Sequence, residues 1–533
     1  MVRLLEEERY HVPFLLFFSL LLYLPFLGSR DLWAPVEPRY GEIARVMFTQ
    51  GEWIVPAVNG ELYTDKPILY FWLVLVFSHL AGAVNEWAVR LPSALSSVGL
   101  VAVVYLLGKD FFNRQAGLLA ALVFATTARV LWEARWAHSD MTFVLFFTLS
   151  LRYLLHALHS SEENRRVLWA YLFMGLATLT KGFIGIVLPG LILSLLLVLG
   201  GDIKKLRGLK PVSGILVFLL TASPWFAAVT LRTEGTWMKE FFWTHHVQRF
   251  LSGLGHREPF YYYFLNFPLD FLPWSLFLIP AAIACYPQVR RITRPVPLSL
   301  AVWFLAVWVF FSLSDTKRGL YLLPLYPPAA LLLARYLLRL QEGEASGIRI
   351  LDAILPLFFT TLWLAAISLP FAASWLQPEL VTGSILFAFV MVLGTLLALR
   401  SLRRRDIFAS TFFLALTMLG GMLCSSSLIF PVIDRYKSPR ALAVEIGKKV
   451  APADPLYIYA DRMNDFNFYL KRQVIPVLSN PGELAQLAAK KSRPYLLIRE
   501  RDLSRVRAGV DSRWELVIEG AIGEKKWQLL RLR

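Results

Sequence analysis

Cysteine is nearly absent from this chain: two residues in 533, Cys285 and Cys424, each inside an apolar run. That excludes a disulfide framework, a zinc cluster and dithiol redox chemistry. Acidic residues are also scarce, 38 against 55 lysines and arginines, which leaves a formal charge of +17. Charged residues of both signs amount to only 17% of the chain, too few to clothe a soluble body of this size.

Apolar side chains are abundant instead. Hydrophobic residues make up 56% of the sequence and aromatics 14%, more than a soluble globular protein can hide, so the chain reads as a polytopic α-helical membrane protein. A basic excess also suits a nucleic-acid binder. Here, however, the positive residues fall in short clusters between apolar runs, where they orient spans, and no nucleic acid is expected as a partner.

Crossing about 30 Å of hydrocarbon takes roughly 20 apolar residues. Runs of that kind centre near residues 20, 99, 122, 148, 173, 191, 220, 277, 304, 328, 362, 389 and 416, which predicts about thirteen spans. The basic connections Lys109 to Arg114, Arg165 and Arg166, Lys204 to Lys210, Arg290 to Arg294, Arg335 to Arg349 and Arg400 to Arg405 fall at every second turn. All six therefore belong in the cytoplasm. The run 13–27 lacks a small-residue cleavage site and is read as a retained first span. A further run, 67–84, is long enough to cross; parity and a resemblance given below favour an interfacial helix.

From about Asp434 the composition turns polar. Helix-like "SPRALAVEIGKKV" and "PGELAQLAAKK" alternate with strand-like "PLYIYA", "QVIPVL" and "PYLLI", the pattern of a small α/β domain. The expected organisation is a membrane domain over 1–433, with its first external loop at 28–90, and an extracytoplasmic α/β domain over 434–533.

The connections on the face opposite the basic clusters carry the unusual polar residues: 28–66, 132–140, the turn around Lys181, 232–268 and "SDTKRG" at 314–319. Charge at membrane depth is expensive and marks a cavity or a partner by default. Asp140 in "EARWAHSDMTFVLFF" opens an apolar helix, where a first-turn carboxylate also complements the helix dipole. Lys66 and Lys181 sit where an interfacial lysine can snorkel. Aromatic belts explain the rings of "FFWTHHVQRFLSGLGHREPFYYYF", less easily the cluster of His245, His246, Arg249 and His256.

Taken in order, "LWAPVEPRYGEIARVM", "GEWIVPAVNGELYTDKPILYFWL", "HSDMTF", "TKGFIGIVLP", "SPWF", "FFWTHHVQRF" with "GHREPFYYY", and "FSLSDTKRGLYLLPLYP" resemble the aminoarabinose transferases of bacterial lipid A and their protein-mannosyltransferase relatives. The resemblance spans roughly residues 15–335 and implies a GT-C glycosyltransferase of the bacterial inner membrane, with a polyprenyl-phosphate-linked sugar as donor and a lipid A-like glycolipid as acceptor. It also implies that the first external loop, with 67–84, forms amphipathic helices on the membrane.

Sugar transfer from a polyprenyl phosphate needs a carboxylate for the incoming hydroxyl and cations for the departing phosphate. The candidate catalytic residues are Glu37 and Asp140; Arg39, Tyr40, Lys66, Lys181, Arg249, Lys317, His246 and His256 are candidates for donor phosphate. Where the family normally shows an Asp-Glu pair, this chain has Val36-Glu37, so a catalytically lapsed relative stays open. Asp65 and His246 match positions able to hold a metal in the lipid A transferases, yet two ligands do not define a site. No metal and no cofactor are expected. The rival class is a transporter or flippase of lipid-linked sugars, but these gather ionisable groups at the bilayer midplane in repeated halves, and neither feature is visible here.

Overall fold

The computed structural model describes residues 7–159, 165–201, 203–248, 257–290, 295–344, 348–461, 463–488, 493–503 and 514–533. The chain divides into two units, Met1–Leu27 with Thr64–Tyr70 and Arg90–Ile429, and Gly28–Tyr63 with Phe71–Val89 and Phe430–Arg533. The division falls at Ile429/Phe430, and residues 28–63 and 71–89 group with the carboxy-terminal segment.

The first unit is helical. Among the described residues, seven helices of the chain are long and apolar enough to cross a membrane: Glu86–Phe111, Asp140–His159, Lys204–Arg232, Gly319–Gln341, Ile354–Leu376, Pro378–Arg403 and Ile407–Lys437. Two bent pairs raise the number to nine, Arg114–Ala125 with Ala128–Ala134 at 66° and Tyr262–Asp270 with Trp274–Ala284 at 116°. The helices Leu69–Ala81, Ile184–Leu199 and Val296–Ser312 are apolar but shorter. Leu69–Ala81, inside the run 67–84, has 13 residues. It rises about 20 Å, short of the hydrocarbon thickness.

Small residues set close helix approaches. A Cβ on Gly108 would stand 2.6 Å from the Gly117 Cα, and one on Gly117 2.6 Å from the Tyr105 carbonyl oxygen. The helices Glu86–Phe111 and Arg114–Ala125 therefore pack backbone to backbone, as small residues permit between apolar helices. Asn113 caps the second by accepting from the Ala116 N–H at 2.8 Å. On Ile354–Leu376 and Pro378–Arg403, by contrast, Leu357, Leu364, Phe371, Trp375 and Phe389 are exposed. Such a surface suits lipid and not water.

The second unit holds a five-stranded sheet in the order β4-β3-β5-β7-β6, with β3 Leu456–Tyr459, β4 Val477–Leu478, β5 Tyr495–Arg499, β6 Trp514–Ile522 and β7 Lys525–Leu532. β4, β3 and β5 run parallel, and β7 and β6 continue antiparallel. Alternation along β5 sends Leu497 to a core with Leu442, Ile446, Phe466 and Trp527, and Leu496 and Ile498 to one with Leu484, Leu487 and Leu530. Of "QVIPVL" only Val477–Leu478 forms strand, and the β6–β7 hairpin and the helix Asn464–Leu470 add elements that the sequence pattern did not announce.

The same unit contains the helix Val36–Gln50, which ends on Gly51 at φ 66°, the left-handed position that glycine fills without strain. The helix Asn464–Leu470 belongs to the same packing. A Cβ on Gly41 would lie 2.7 Å from a Leu32 methyl and 3.1 Å from the Phe468 ring. Tyr469 accepts from the Leu32 N–H at 2.8 Å, and Asn467 donates to the Asn59 side chain at 2.9 Å. Asn59 and Gly60, both at positive φ, form the turn between β1 Ala57–Val58 and β2 Glu61–Leu62.

Candidate active site

Helix ends bring the charges of the first unit together. Asp140 is the first residue of Asp140–His159, and Lys181 the last of Leu168–Lys181. A carboxylate at an N-terminus and an ammonium at a C-terminus each complement the local dipole. The two are ion-paired, and His138 pairs with the second oxygen of Asp140. Asp140 is 1% exposed, so these contacts stand in for its hydration.

Around this pair the setting is aromatic and cationic. The Lys181 ammonium stands 5.0 Å from the Phe143 ring centre and 5.5 Å from that of Tyr321. The charges of Glu133 and Arg318 act on it. Burial, then the positive charges of Lys181, Lys66 and Arg318, push His138 well below its ordinary value, with Asp65 opposing. A neutral imidazole follows. Lys66 reaches the carbonyl and carboxylate of Asp65 at 3.0 and 3.2 Å.

Lys317 is buried, and its ammonium donates to the Ser314 and Glu258 carbonyl oxygens at 2.6 and 3.0 Å. Its neighbour Arg318 is the residue whose charge acts on both His138 and Lys181. Arg249 and His256 lie outside the described residues. His246 falls in the π-helix Glu240–Gln248, its side chain outside the description. Among the described residues no group of three or more His, Cys, Asp or Glu is arranged to hold a metal ion.

In the second unit Glu37 is fully buried at the start of Val36–Gln50. Arg30 donates to its two oxygens at 2.5 and 3.1 Å, and the Trp33 N–H adds a third bond at 3.0 Å. Arg39 lies 5.8 Å from the Tyr63 ring centre. Tyr40 is buried edge-on against Tyr63 and Phe71.

Of the residues expected from the sequence, the structure pairs Asp140 with Lys181 and lets the charge of Lys66 reach their neighbour His138, and it adds His138, Glu133 and Arg318, which the expectation did not name. The signal was present in the same motifs: "EARWAHSD" holds the first two and "SDTKRG" the third.

The buried Asp140–Lys181 pair, set in a helical membrane body, belongs with known folds and sequences. A family model described as dolichyl-phosphate-mannose-protein mannosyltransferase matches residues 65–227. The crystal structure of ArnT from Cupriavidus metallidurans bound to undecaprenyl phosphate superposes with a TM-score of 0.82, at 23% identity over 98% of this chain and 97% of that one. The archaeal oligosaccharyltransferase AglB from Archaeoglobus fulgidus gives 0.54, at 14% identity over 93% and 70%. The fold is GT-C, and the sequence relatives make the chain an integral membrane glycosyltransferase. An undecaprenyl phosphate-alpha-4-amino-4-deoxy-L-arabinose arabinosyl transferase of Shewanella sediminis is 31% identical over 477 residues, 88% of this chain and 86% of its own. A Pseudomonas fluorescens enzyme of the same name is 29% identical over 73% of this chain and 69% of its own. The chain belongs to this family of arabinosyl transferases.

Proposed function

We propose that this protein moves 4-amino-4-deoxy-L-arabinose, the sugar in its relatives' names, from undecaprenyl phosphate to a lipid A-like glycolipid at the extracytoplasmic face of the bacterial inner membrane. The observation that carries the reading is the buried Asp140–Lys181 pair with the charges of Lys66 and Arg318 acting at the same place. The acceptor hydroxyl attacks the anomeric carbon as the bond from that carbon to the phosphate oxygen breaks. Its proton passes to a carboxylate, for which Asp140 is the candidate, and the leaving phosphate takes the electron pair and the facing cations. Lys66 and Lys181 serve the phosphate, with Arg39, Tyr40, Arg249, His246 and His256 as further donor-site candidates, and Lys317 acts through the turn it fastens. Arginine can engage phosphate through two parallel bonds.

The accompanying topology has thirteen spans, a cytoplasmic amino terminus and an extracytoplasmic α/β domain from about residue 434. One set of contacts supports it. Asp434 accepts from the Asp31 N–H at 2.7 Å and from the Trp33 indole at 2.6 Å, and Arg440 donates to Asp31 at 2.8 Å, which ties the first external loop to the carboxy-terminal segment.

The deciding experiment incubates the purified protein in nanodiscs with a panel of radiolabelled polyprenyl phosphate sugars and membrane extract. Label from the undecaprenyl phosphate aminoarabinose donor is expected in the lipid A fraction. Failure of every donor to pass label would overturn the reading. Reporters placed after Arg405 and after Arg440 should mark opposite faces.

A further inference from the structure

Arg129 lies in the short helix Ala128–Ala134, on the far side of the bend at Thr126 and Thr127. Its guanidinium donates to Asp270 at 2.7 Å and to Glu133 at 3.3 Å. Gly319 closes over this pair. A Cβ there would come within 2.7 Å of the Arg129 Nη2 and 2.8 Å of an Asp270 oxygen, so the backbone of the 314–319 turn lies directly on the ion pair and a side chain at this position would push the two charged ends aside.

The other side of the turn is fastened as well. Arg257 and Thr316 form a β-bridge, the Glu258 N–H donates to the Asp315 carbonyl at 3.3 Å, and Lys317 donates to the Glu258 carbonyl. Held so, the turn presents Arg318 at the start of Gly319–Leu325, the segment whose Tyr321 ring stands 5.5 Å from the Lys181 ammonium. Lys317 spends its donors inside the turn while Arg318 is half-buried.

We infer that Gly319 and the Arg129–Asp270 pair act as a positioning lock that holds Arg318 toward the Asp140–Lys181 pair, where Arg318 serves the donor phosphate. The inference rests on the reading of the Asp140 cluster as the donor site. None of the three lock residues need touch the donor themselves; they act through the turn.

A double-mutant cycle tests this, because residues that act through one another are not additive. Arg318→Gln, Gly319→Ala, Asp270→Asn and each lock variant combined with Arg318→Gln are compared in nanodiscs for undecaprenyl phosphate binding and for sugar transfer. Each single change should weaken undecaprenyl phosphate binding about tenfold, and adding a lock change to Arg318→Gln should cost less than about a further twofold. Asp270→Glu, which keeps the charge, should recover part of the loss. Effects that multiply in the double variants, or lock variants that bind as the parent does, overturn the inference. If Gly319→Ala does not fold, Asp270→Asn carries the cycle. A parent that transfers no sugar defeats the proposed function separately, since the cycle is also read on binding.

Discussion

Arg30 and Glu37 meet as a two-pronged ion pair across the turn that starts Val36–Gln50, at 2.5 and 3.1 Å, with both groups buried. A carboxylate engaged in this way holds the turn. Replacing Glu37 with Gln takes away the carboxylate that engages this buried guanidinium at both prongs, a change that costs about 3–5 kcal/mol. The expected outcome is that Glu37→Gln loses thermal stability and turnover together. Arg30→Met combined with Glu37→Met should regain much of the stability, as measured by thermal unfolding in detergent. A Glu37→Gln protein as stable as the parent would show that the pair does not hold the turn.

Asp140 should behave differently. Asp140→Asn keeps the shape and removes the charge, and the charge of Glu133 still acts on Lys181. Turnover is expected to fall at least about 100-fold, the lower range for loss of a general base, with undecaprenyl phosphate binding retained. Single-turnover kinetics beside a binding isotherm separates the two. Full activity in Asp140→Asn would remove this residue from the chemistry.

Lys66 and Lys317 are both phosphate candidates in the sequence, and their surroundings separate them. Lys317 donates to two backbone carbonyl oxygens, each bond from a charged donor contributing about 1.5–3 kcal/mol. Lys317→Gln is therefore expected to lower the unfolding temperature and, by loosening the turn that carries Arg318, to weaken donor binding by no more than the lock variants do, about tenfold at most. Lys66→Gln should weaken it more than about tenfold with little change in unfolding. The reverse pattern would exchange their roles.

What could be read in advance follows from where charge meets apolar sequence. Asp140 and Lys181 interrupt long apolar runs at helix ends, so both the spans and the charged residues showed themselves. Arg129 and Asp270 did not, because their meeting depends on two bent helices, at 66° and 116°, and no periodicity encodes a bend. Glu37 was visible as an acid of a motif, yet its partner Arg30 lies before the helix, where no spacing rule applies. The β6–β7 hairpin was missed because "WELVIEGAI" alternates weakly and is half-exposed, and its register also shifts between Leu516 and Ile518.

Asp465, at the start of Asn464–Leu470, is a titration test outside the membrane body. Burial pushes its carboxyl up to about 7, with its own N–H and the charge of Lys525 acting the other way. The unfolded carboxyl titrates near about 3.9. The folded state therefore binds more protons between these values, and stability is lost as pH rises from about 4 to 7. Asp465→Asn removes the dependence. The variant should equal the parent near pH 4 and exceed it at pH 8, by at most about 4 kcal/mol for about three units of displacement. Because Asn467 and Tyr469 of this helix bond Asn59 and Leu32, hydrogen exchange in 30–60 should slow in the variant at pH 8. Identical unfolding curves at both pH values would exclude a raised carboxyl.

The last test concerns the acid that the family normally carries beside Glu37. Val36 is the first residue of Val36–Gln50 and is partly exposed, so an aspartate there meets water and the favourable end of the helix dipole. Val36→Asp should fold as the parent does. With Asp140 as the base, turnover in Val36→Asp stays within about threefold of the parent or rises, a change of less than about 0.7 kcal/mol in the barrier. Transfer assays on the parent, Val36→Asp, Asp140→Asn and the double variant decide between the acids. An inactive parent beside an active Val36→Asp would mark a chain that has lapsed through this one residue. Activity of Val36→Asp that survives Asp140→Asn would move the base to the first external loop.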